Sequence, residues 1–180
     1  FFFFFTEKYQ LLVNECITKM NEDDRAIFLP FLEYALELGF TPKLIKKAND
    51  EDGELAFSKS KFNRTLLRIL PENKKEFSNY PLKKAGKAQL RLVYFATDSY
   101  SEPFLLGIKT VIEEFNGKYT GCYGCGRCGE KLQGYTYQYP DGKKVFRCGR
   151  ELIELPPLTM QQVDEVKAMM KMQNEFWESE

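Results

Sequence analysis

The sequence predicts an α+β fold, in which a small, mostly antiparallel sheet is flanked by helices and a cysteine-bearing β-hairpin lies near the C-terminus. Three observations predict it: apolar residues recur at helical spacing near both ends, runs of strand length lie between them, and four of the five cysteines fall within residues 122–148. Hydrophobic residues make up 43% and charged residues 29% of the chain, a globular balance. We expect a single α+β domain over residues 1–180, with 118–155 as a metal-stabilised subregion within it.

The first forty residues are predicted to form two helices. Residues 6–20 repeat apolar side chains at three- and four-residue spacing, which is typical of an amphipathic helix. Cap-type residues at 21–24 favour the start of a second helix, and Gly39 favours its end. The run Phe1 to Phe5 lacks the basic flank and cleavage site of a signal peptide, and we assign it no function.

The middle of the chain is predicted to hold a short helix and most of the sheet. Residues 41–48 favour a basic helical stretch, and residues 49–53 favour a turn. Strands are predicted at 55–57, 65–70 and 89–96. The last of these is apolar along most of its length, so we place it inside the sheet, whereas the lysine-rich segment 72–87 is predicted to be an exposed loop.

The last eighty residues are predicted to place a β-hairpin between two helices. Residues 102–115 carry apolar side chains on one face with proline in the first turn, and Thr159 caps a final helix of similar pattern. The hairpin is predicted from an alternating run, a turn sequence and a returning strand, at 134–139, 140–143 and 144–148.

A cluster of cysteines surrounds this hairpin. Cys122, Cys125 and Cys128 stand at successive two-residue spacing in a glycine-rich run, and Cys148 ends the returning strand. The Cys-x-x-Cys spacing is typical of metal sites. Glycines permit positive φ and let backbone amides point at sulfur, as a tight turn around a metal requires. The four cysteines therefore predict a metal site.

The register of the hairpin determines where its last cysteine lies. If Tyr139 and Lys144 flank the turn, Tyr135 lies opposite Cys148. Cys148 then returns to the base of the hairpin, near Cys128 in space.

The predicted metal follows from the available ligands. The chain has no histidine, so sulfur completes a four-coordinate site only if Cys122, Cys125, Cys128 and Cys148 all bind. Zn²⁺ held by four thiolates is closed and structural, and this is the site we predict. Two alternatives stay open: an iron–sulfur cluster, favoured by the triple two-residue spacing, and free thiols or a Cys-x-x-Cys redox pair. A catalytic zinc with Glu130 as base is supported only by proximity in sequence.

One stretch of this region resembles a known family. The run Cys125-Gly-Arg-Cys128-Gly resembles the knuckle of zinc-ribbon proteins, in which Cys-x-x-Cys-Gly is followed by a strand. The resemblance covers residues 120–150. A ribbon's second knuckle has its own Cys-x-x-Cys, whereas this chain has only Cys148-Gly-Arg, so the resemblance implies that Cys122 supplies the remaining ligand.

Charge is distributed unevenly along the chain although its net value is zero. Residues 43–91 carry thirteen basic and six acidic side chains, whereas residues 1–42 and 150–180 each carry three basic and seven acidic ones. A positive middle suits an anionic partner such as nucleic acid, or it neutralises the chain's own acidic ends. The zero net charge favours neutralisation.

Alternating tyrosines on the hairpin admit two interpretations. Tyr135, Tyr137 and Tyr139 fall on one face, where they could stack on bases with Arg147 close by to meet phosphate. We favour packing of this face onto the main sheet, because a hairpin in a small domain must cover one face.

Several classes of function lack support in the sequence. Without histidine there is no ordinary Ser-His-Asp or Cys-His arrangement, and no Gly-rich phosphate loop occurs, so nothing favours catalysis. We expect a metal-binding protein with a structural zinc site, acting as an interaction or binding module with a protein partner. The alternatives are a nucleic-acid-binding zinc-ribbon module and a redox or iron–sulfur protein.

Cysteine usage and hydropathy indicate where the protein works. An odd number of cysteines fits a reducing compartment with one bystander thiol, Cys16 in the first helix, better than a disulfide framework. No stretch approaches the roughly 18 apolar residues of a membrane span. We therefore expect a cytoplasmic protein with no membrane partner.

Overall fold

The computed structural model describes residues 7–46, 53–75 and 81–180. The helices in these ranges are α1 (Glu7–Thr18), α2 (Glu22–Glu37), α3 (Glu102–Glu113) and α4 (Val163–Glu178). The strands are β1 (Thr41–Ile45), β2 (Glu54–Lys59), β3 (Arg64–Leu70), β4 (Gln89–Leu92), β5 (Gly134–Gln138), β6 (Lys144–Cys148) and β7 (Ile153–Glu154). The predicted α+β class with a small antiparallel sheet is confirmed. The Phe1–Phe5 run, the predicted turn up to residue 52 and residues 76–80 lie outside the described residues.

The two N-terminal helices form as predicted. Asn21 caps α2, because its side-chain oxygen accepts the N–H of Asp24 at 2.9 Å. The Asp24 carboxylate is 3% exposed and accepts the N–H of Ala88 at 2.8 Å, which ties the start of α2 to the segment before β4. Pro30 lies inside α2 without ending it. Among the described residues, no helix combines the length and the apolar character that crossing a bilayer requires.

The helix predicted for 41–48 is wrong, because residues Thr41–Ile45 form strand β1. This strand pairs antiparallel with β2 and occupies one edge of the sheet. Pro42 has no N–H to donate, which an edge strand tolerates, and it pairs with Phe57. Lysines in this segment favour a helix only weakly, so pairing with β2 overrides the local preference.

All pairs in the main sheet are antiparallel, in the order β1-β2-β3-β4-β7. The strand predicted at 89–96 lies inside the sheet but ends at Leu92. Val93 and Tyr94 stay buried beyond it, and side chains replace strand partners: the N–H of Tyr94 bonds to the Tyr135 hydroxyl at 2.9 Å, and that of Ala96 to Gln173 Oε1 at 3.0 Å. The chain thus leaves the sheet where the hairpin and α4 approach it.

The last helix also forms as predicted. Thr159 and Gln162 form a capping box, and a short 3₁₀ turn leads into α4. The residues that α4 buries are those on the predicted face: Val163, Val166, Met169, Met170, Gln173 and Trp177. They share one hydrophobic cluster with residues of α1, α2, α3, the sheet and the hairpin.

The hairpin β5–β6 forms, but its predicted register is wrong by one residue. The turn has three residues, since the N–H of Tyr139 bonds to the carbonyl of Lys143 at 2.8 Å, and Gly142 closes it with a φ of 87°. Tyr135 therefore pairs with Arg147, and Cys148 pairs with Gly134. Cys148 still returns to the base of the hairpin as predicted.

Candidate metal centre

The cysteine loop, which we define as residues 118–133, runs from the end of α3 to the start of β5. None of its residues is buried, and its only strand-type pairing is a parallel bridge between Gly121 and Arg147. The N–H of Gly121 donates to the carbonyl of Phe146 at 2.7 Å. This bridge places the chain that enters Cys122 beside the chain that enters Cys148.

Two of the loop sulfurs accept backbone hydrogen bonds. The N–H of Gly124 lies 3.4 Å from Cys122 Sγ, and the N–H of Gln133 lies 3.4 Å from Cys128 Sγ. Gly121, Gly124 and Gly126 have positive φ, as predicted for a turn that points amides at sulfur. Cys122 is exposed, and Cys125 and Cys128 are half-buried.

Cys148 differs from the loop cysteines in being buried, with 3% of its surface exposed. The chain after it is held tightly: the N–H of Gly149 donates to the carbonyl of Gln133 at 3.0 Å. A side chain at Gly149 would bring its Cβ within 2.4 Å of the Phe95 ring, so this close approach requires glycine. Cys148 therefore occupies a fixed position at the edge of the core.

Arg147 connects the hairpin to the start of the loop. Its guanidinium is buried and donates to the carbonyl oxygens of Val111 at 3.3 Å and Tyr119 at 3.0 Å. It also lies over the Tyr119 ring at 5.9 Å. The guanidinium of Arg147 therefore binds carbonyl groups within the fold. The base-stacking interpretation of the hairpin required it to face a phosphate, and it does not.

The backbone brings the cysteine-bearing segments to one end of the hairpin, but the thiols do not form a ligand set there. Over residues 7–46, 53–75 and 81–180, no three Cys, Asp or Glu side chains lie close enough together to hold a metal ion. All four predicted ligands belong to these ranges. Cys16, the predicted bystander, lies apart from them in α1, where it is buried.

Of the three tyrosines on one face of the hairpin, Tyr135 packs against Tyr94 and Phe95, just after β4 of the main sheet, which supports the packing interpretation for this residue. Tyr135 is fully buried, and its ring meets Tyr94 edge-on at 5.2 Å between centroids. Burial raises the pKa of Tyr135 far above its usual value, although the hydrogen bond from the Tyr94 N–H opposes this shift. Tyr139 donates its hydroxyl hydrogen to Glu113 at 2.9 Å. Tyr135 is thus not available for stacking on a base.

The uneven charge of the chain is partly neutralised within the fold. Six ion pairs join a basic residue of the middle segment to an acidic residue of either end. Three others stay within one segment: Arg68 and Arg91 with Glu54, and Lys171 with Glu175. Examples are Lys87 with Asp24 at 3.6 Å and Arg91 with Glu154 at 3.3 Å. This pairing supports the interpretation that the basic middle balances the acidic ends.

Arginines that the sequence analysis did not single out lie beside the cysteine loop. Arg127 and Arg150 each follow a Cys-Gly pair and line one cavity together with Arg64 and Arg68 of β3. The signal that could have found them is the repeated triplet Cys-Gly-Arg, at 125–127 and again at 148–150.

Comparison of this chain with protein-family models, with curated proteins and with solved structures found no match. Its function is therefore inferred from its own residues.

Proposed function

We propose that the chain is a cytoplasmic metal-binding interaction module in which Cys122, Cys125, Cys128 and Cys148 hold one structural Zn²⁺. The observation that carries the proposal is the pair of amide-to-sulfur hydrogen bonds, at Cys122 and Cys128. Backbone amides that point at sulfur are typical of the tight turns that surround a bound metal. The parallel bridge of Gly121 with Arg147, which leads into Cys122 and Cys148, supports the same ligand set.

The donor set suits zinc chemically. Four thiolates and no histidine are the ligands of a closed tetrahedral site, which supplies a cross-link and offers no open position for substrate. Here the cross-link would join the cysteine loop to β6, because Cys148 is the only one of the four in a strand. Zinc would therefore stabilise a segment that buries no residue of its own. Since the four thiols do not lie close enough together to form a ligand set, zinc binding must draw them together.

The cysteine loop and the residues just before it, from Phe115 onward, carry features of a protein-binding surface. Seven large hydrophobic side chains are exposed in the described residues, and four of them lie between 115 and 132: Phe115, Tyr119, Tyr123 and Leu132. Clustered apolar exposure is typical of interaction sites, whereas single exposed residues need no explanation. A structural zinc would hold these side chains in fixed positions, which supports a binding role for the region.

The test is metal analysis of the anaerobically purified protein combined with its visible absorption spectrum. We expect one zinc per chain and no colour. A brown protein with acid-labile sulfide would contradict the zinc site and support the iron–sulfur alternative. A metal-free protein that binds no added zinc would support the free-thiol alternative.

Variants identify the ligands. Cys148→Ser should abolish stoichiometric zinc binding and the increase in melting temperature that zinc produces. Cys16→Ala is the matched control, because Cys16 lies in α1 and should leave zinc content unchanged. A Cys148→Ser protein that retains both one zinc and its melting temperature contradicts the four-cysteine site.

A further inference from the structure

A small cavity lies where β3, the cysteine loop and the end of α4 meet, and it is lined by four arginines. Its volume is about 170 Å³, and Arg64, Arg68, Arg127 and Arg150 contribute to its wall. Trp177 of α4 lines it as well. None of the described residues that line it is acidic. Four arginines and no acidic residue among the described lining make the site positive.

The arginines reach the cavity from two parts of the fold. Arg64 and Arg68 lie on β3 in the main sheet and are half-buried. Arg127 and Arg150 are exposed and follow the two Cys-Gly pairs. Arg150 comes directly after Gly149, whose backbone is hydrogen-bonded and packed against Phe95. The backbone position of Arg150 is therefore well defined.

Two carboxylates near the cavity form long ion pairs with its arginines but no hydrogen bonds to them. Glu180 lies 3.9 Å from a terminal nitrogen of Arg64, and Glu54 lies 3.9 Å from one of Arg68. Both distances exceed hydrogen-bonding range. Glu54 lies closer to Arg91, at 3.2 Å.

Two residues that line the cavity also carry a buried donor without a partner. In the described part of the chain, neither Arg68 Nε nor the indole N–H of Trp177 has a hydrogen-bond acceptor, and Trp177 is only 3% exposed. A buried donor without an acceptor carries an uncompensated desolvation cost. The basic lining, with no acidic residue among the described ones, favours an acceptor-rich, negatively charged occupant.

We propose that this cavity binds a phosphate-type oxyanion. Guanidinium groups match the oxygens of phosphate with paired, charge-assisted hydrogen bonds. The volume is below the roughly 300 Å³ at which ordinary small-molecule pockets begin, so it suits a phosphate group and not a whole nucleotide. The phosphate is either free or carried by a longer molecule such as nucleic acid. This site rests on the zinc proposal only through Arg127, which lies in the cysteine loop, because Arg64, Arg68 and Trp177 belong to the sheet and α4.

Trp177 provides a direct readout, because it is the only tryptophan in the chain. Titration with inorganic pyrophosphate at low salt should change its fluorescence in a saturable way, and added salt should weaken the effect. Arg150→Gln and Arg68→Gln should each weaken binding about tenfold, since each removes a charge-assisted contact. Lys144→Gln at the turn end of the hairpin is the control of equal charge change and should leave binding within about twofold.

A second titration separates the two sources of phosphate. A single-stranded oligonucleotide that changes Trp177 fluorescence, competes with pyrophosphate and is weakened by Arg150→Gln supports the site with nucleic acid as the carrier. Pyrophosphate binding without oligonucleotide binding supports it with free phosphate as the ligand. The proposal fails if millimolar pyrophosphate gives no saturable fluorescence change at low salt. It also fails if Lys144→Gln weakens binding as much as Arg150→Gln, because the effect would then be one of overall charge.

Discussion

The body of the molecule, meaning its four helices, main sheet and hairpin, is held together differently from the cysteine loop. In the body, apolar side chains from every helix, the sheet and the hairpin form one buried cluster. In the loop, no residue is buried, and its conformation rests on positive-φ glycines and on amide bonds to sulfur. Burial of large side chains stabilises the first region, whereas the second buries no side chain and is joined to β6 by hydrogen bonds and one parallel bridge.

The two regions therefore obtain their stability from different interactions. A buried large apolar side chain contributes about 1.5–3 kcal/mol, but a hydrogen bond exposed to water contributes far less. The body should therefore fold without metal, and the loop should depend on a cross-link that its side chains do not provide. The two regions also place their thiols in opposite environments, since Cys16 is buried in the body and Cys122 is exposed in the loop.

The largest expected difference between the regions is in thiol reactivity. Burial raises the pKa of Cys16 from 9.0 to about 12, and Lys19 opposes this shift only in part. Below pH 12 the thiolate fraction of Cys16 is therefore reduced, and at pH 8 alkylation should be about a thousandfold slower than for an ordinary thiol. Iodoacetamide labelling of the metal-free protein, followed by peptide mass spectrometry, should modify Cys122 first and Cys16 last.

Zinc provides the matching control for this experiment. Added metal should slow the labelling of Cys122, Cys125 and Cys128 and leave the rate at Cys16 unchanged. Labelling of Cys16 within tenfold of Cys122 in the metal-free protein would mean that the body does not exclude reagent as its burial implies.

A smaller but still large effect is expected where the hairpin packs against the rest of the body. Tyr135 is fully buried, and its hydroxyl accepts the N–H of Tyr94. Tyr135→Ala should lower the free energy of unfolding by about 3–5 kcal/mol, because it leaves a cavity and an unsatisfied amide. Denaturant unfolding of the purified variant measures this loss.

Two variants of the same hairpin calibrate that measurement. Tyr135→Phe keeps the ring and removes the hydroxyl, so it should cost about 1–3 kcal/mol. Thr136→Ala changes the adjacent exposed residue and should stay within about 0.5 kcal/mol. A loss below about 1 kcal/mol for Tyr135→Ala would show that the hairpin belongs energetically with the cysteine loop and not with the body.

The body was largely predictable from the sequence because its elements carry strong periodic patterns. The face that α4 buries was predicted residue by residue, since apolar side chains at helical spacing must turn to one core. Strand β1 was not predicted. The lysines near Pro42 have only weak preferences for helix or strand, so pairing with β2 decides the outcome. The end of β4 was also missed, since it depends on Tyr135 and Gln173, which are distant in sequence.

The cysteine region was predictable in outline but not in register. The alternation of β5 and the turn residues predicted the hairpin, yet one residue in the length of the turn decides whether Tyr135 or Gly134 pairs with Cys148. The arginine cavity was not predictable, because Arg64 and Arg68 meet Arg127 and Arg150 only through the tertiary fold.

The smallest expected effect concerns the backbone of the cysteine loop itself. Gly124 has a φ of 61° and open space around the position of a Cβ, so Gly124→Ala adds backbone strain of about 1 kcal/mol and no clash. Gly129 also faces open space but does not have a positive φ, which makes Gly129→Ala the matched control. If the zinc-bound loop keeps the conformation described here, Gly124→Ala should weaken zinc binding about fivefold in a chelator competition, and Gly129→Ala should not. Equal affinities for both variants would mean that zinc holds the loop in a different backbone conformation, because alanine escapes the strain only if the turn at residue 124 changes.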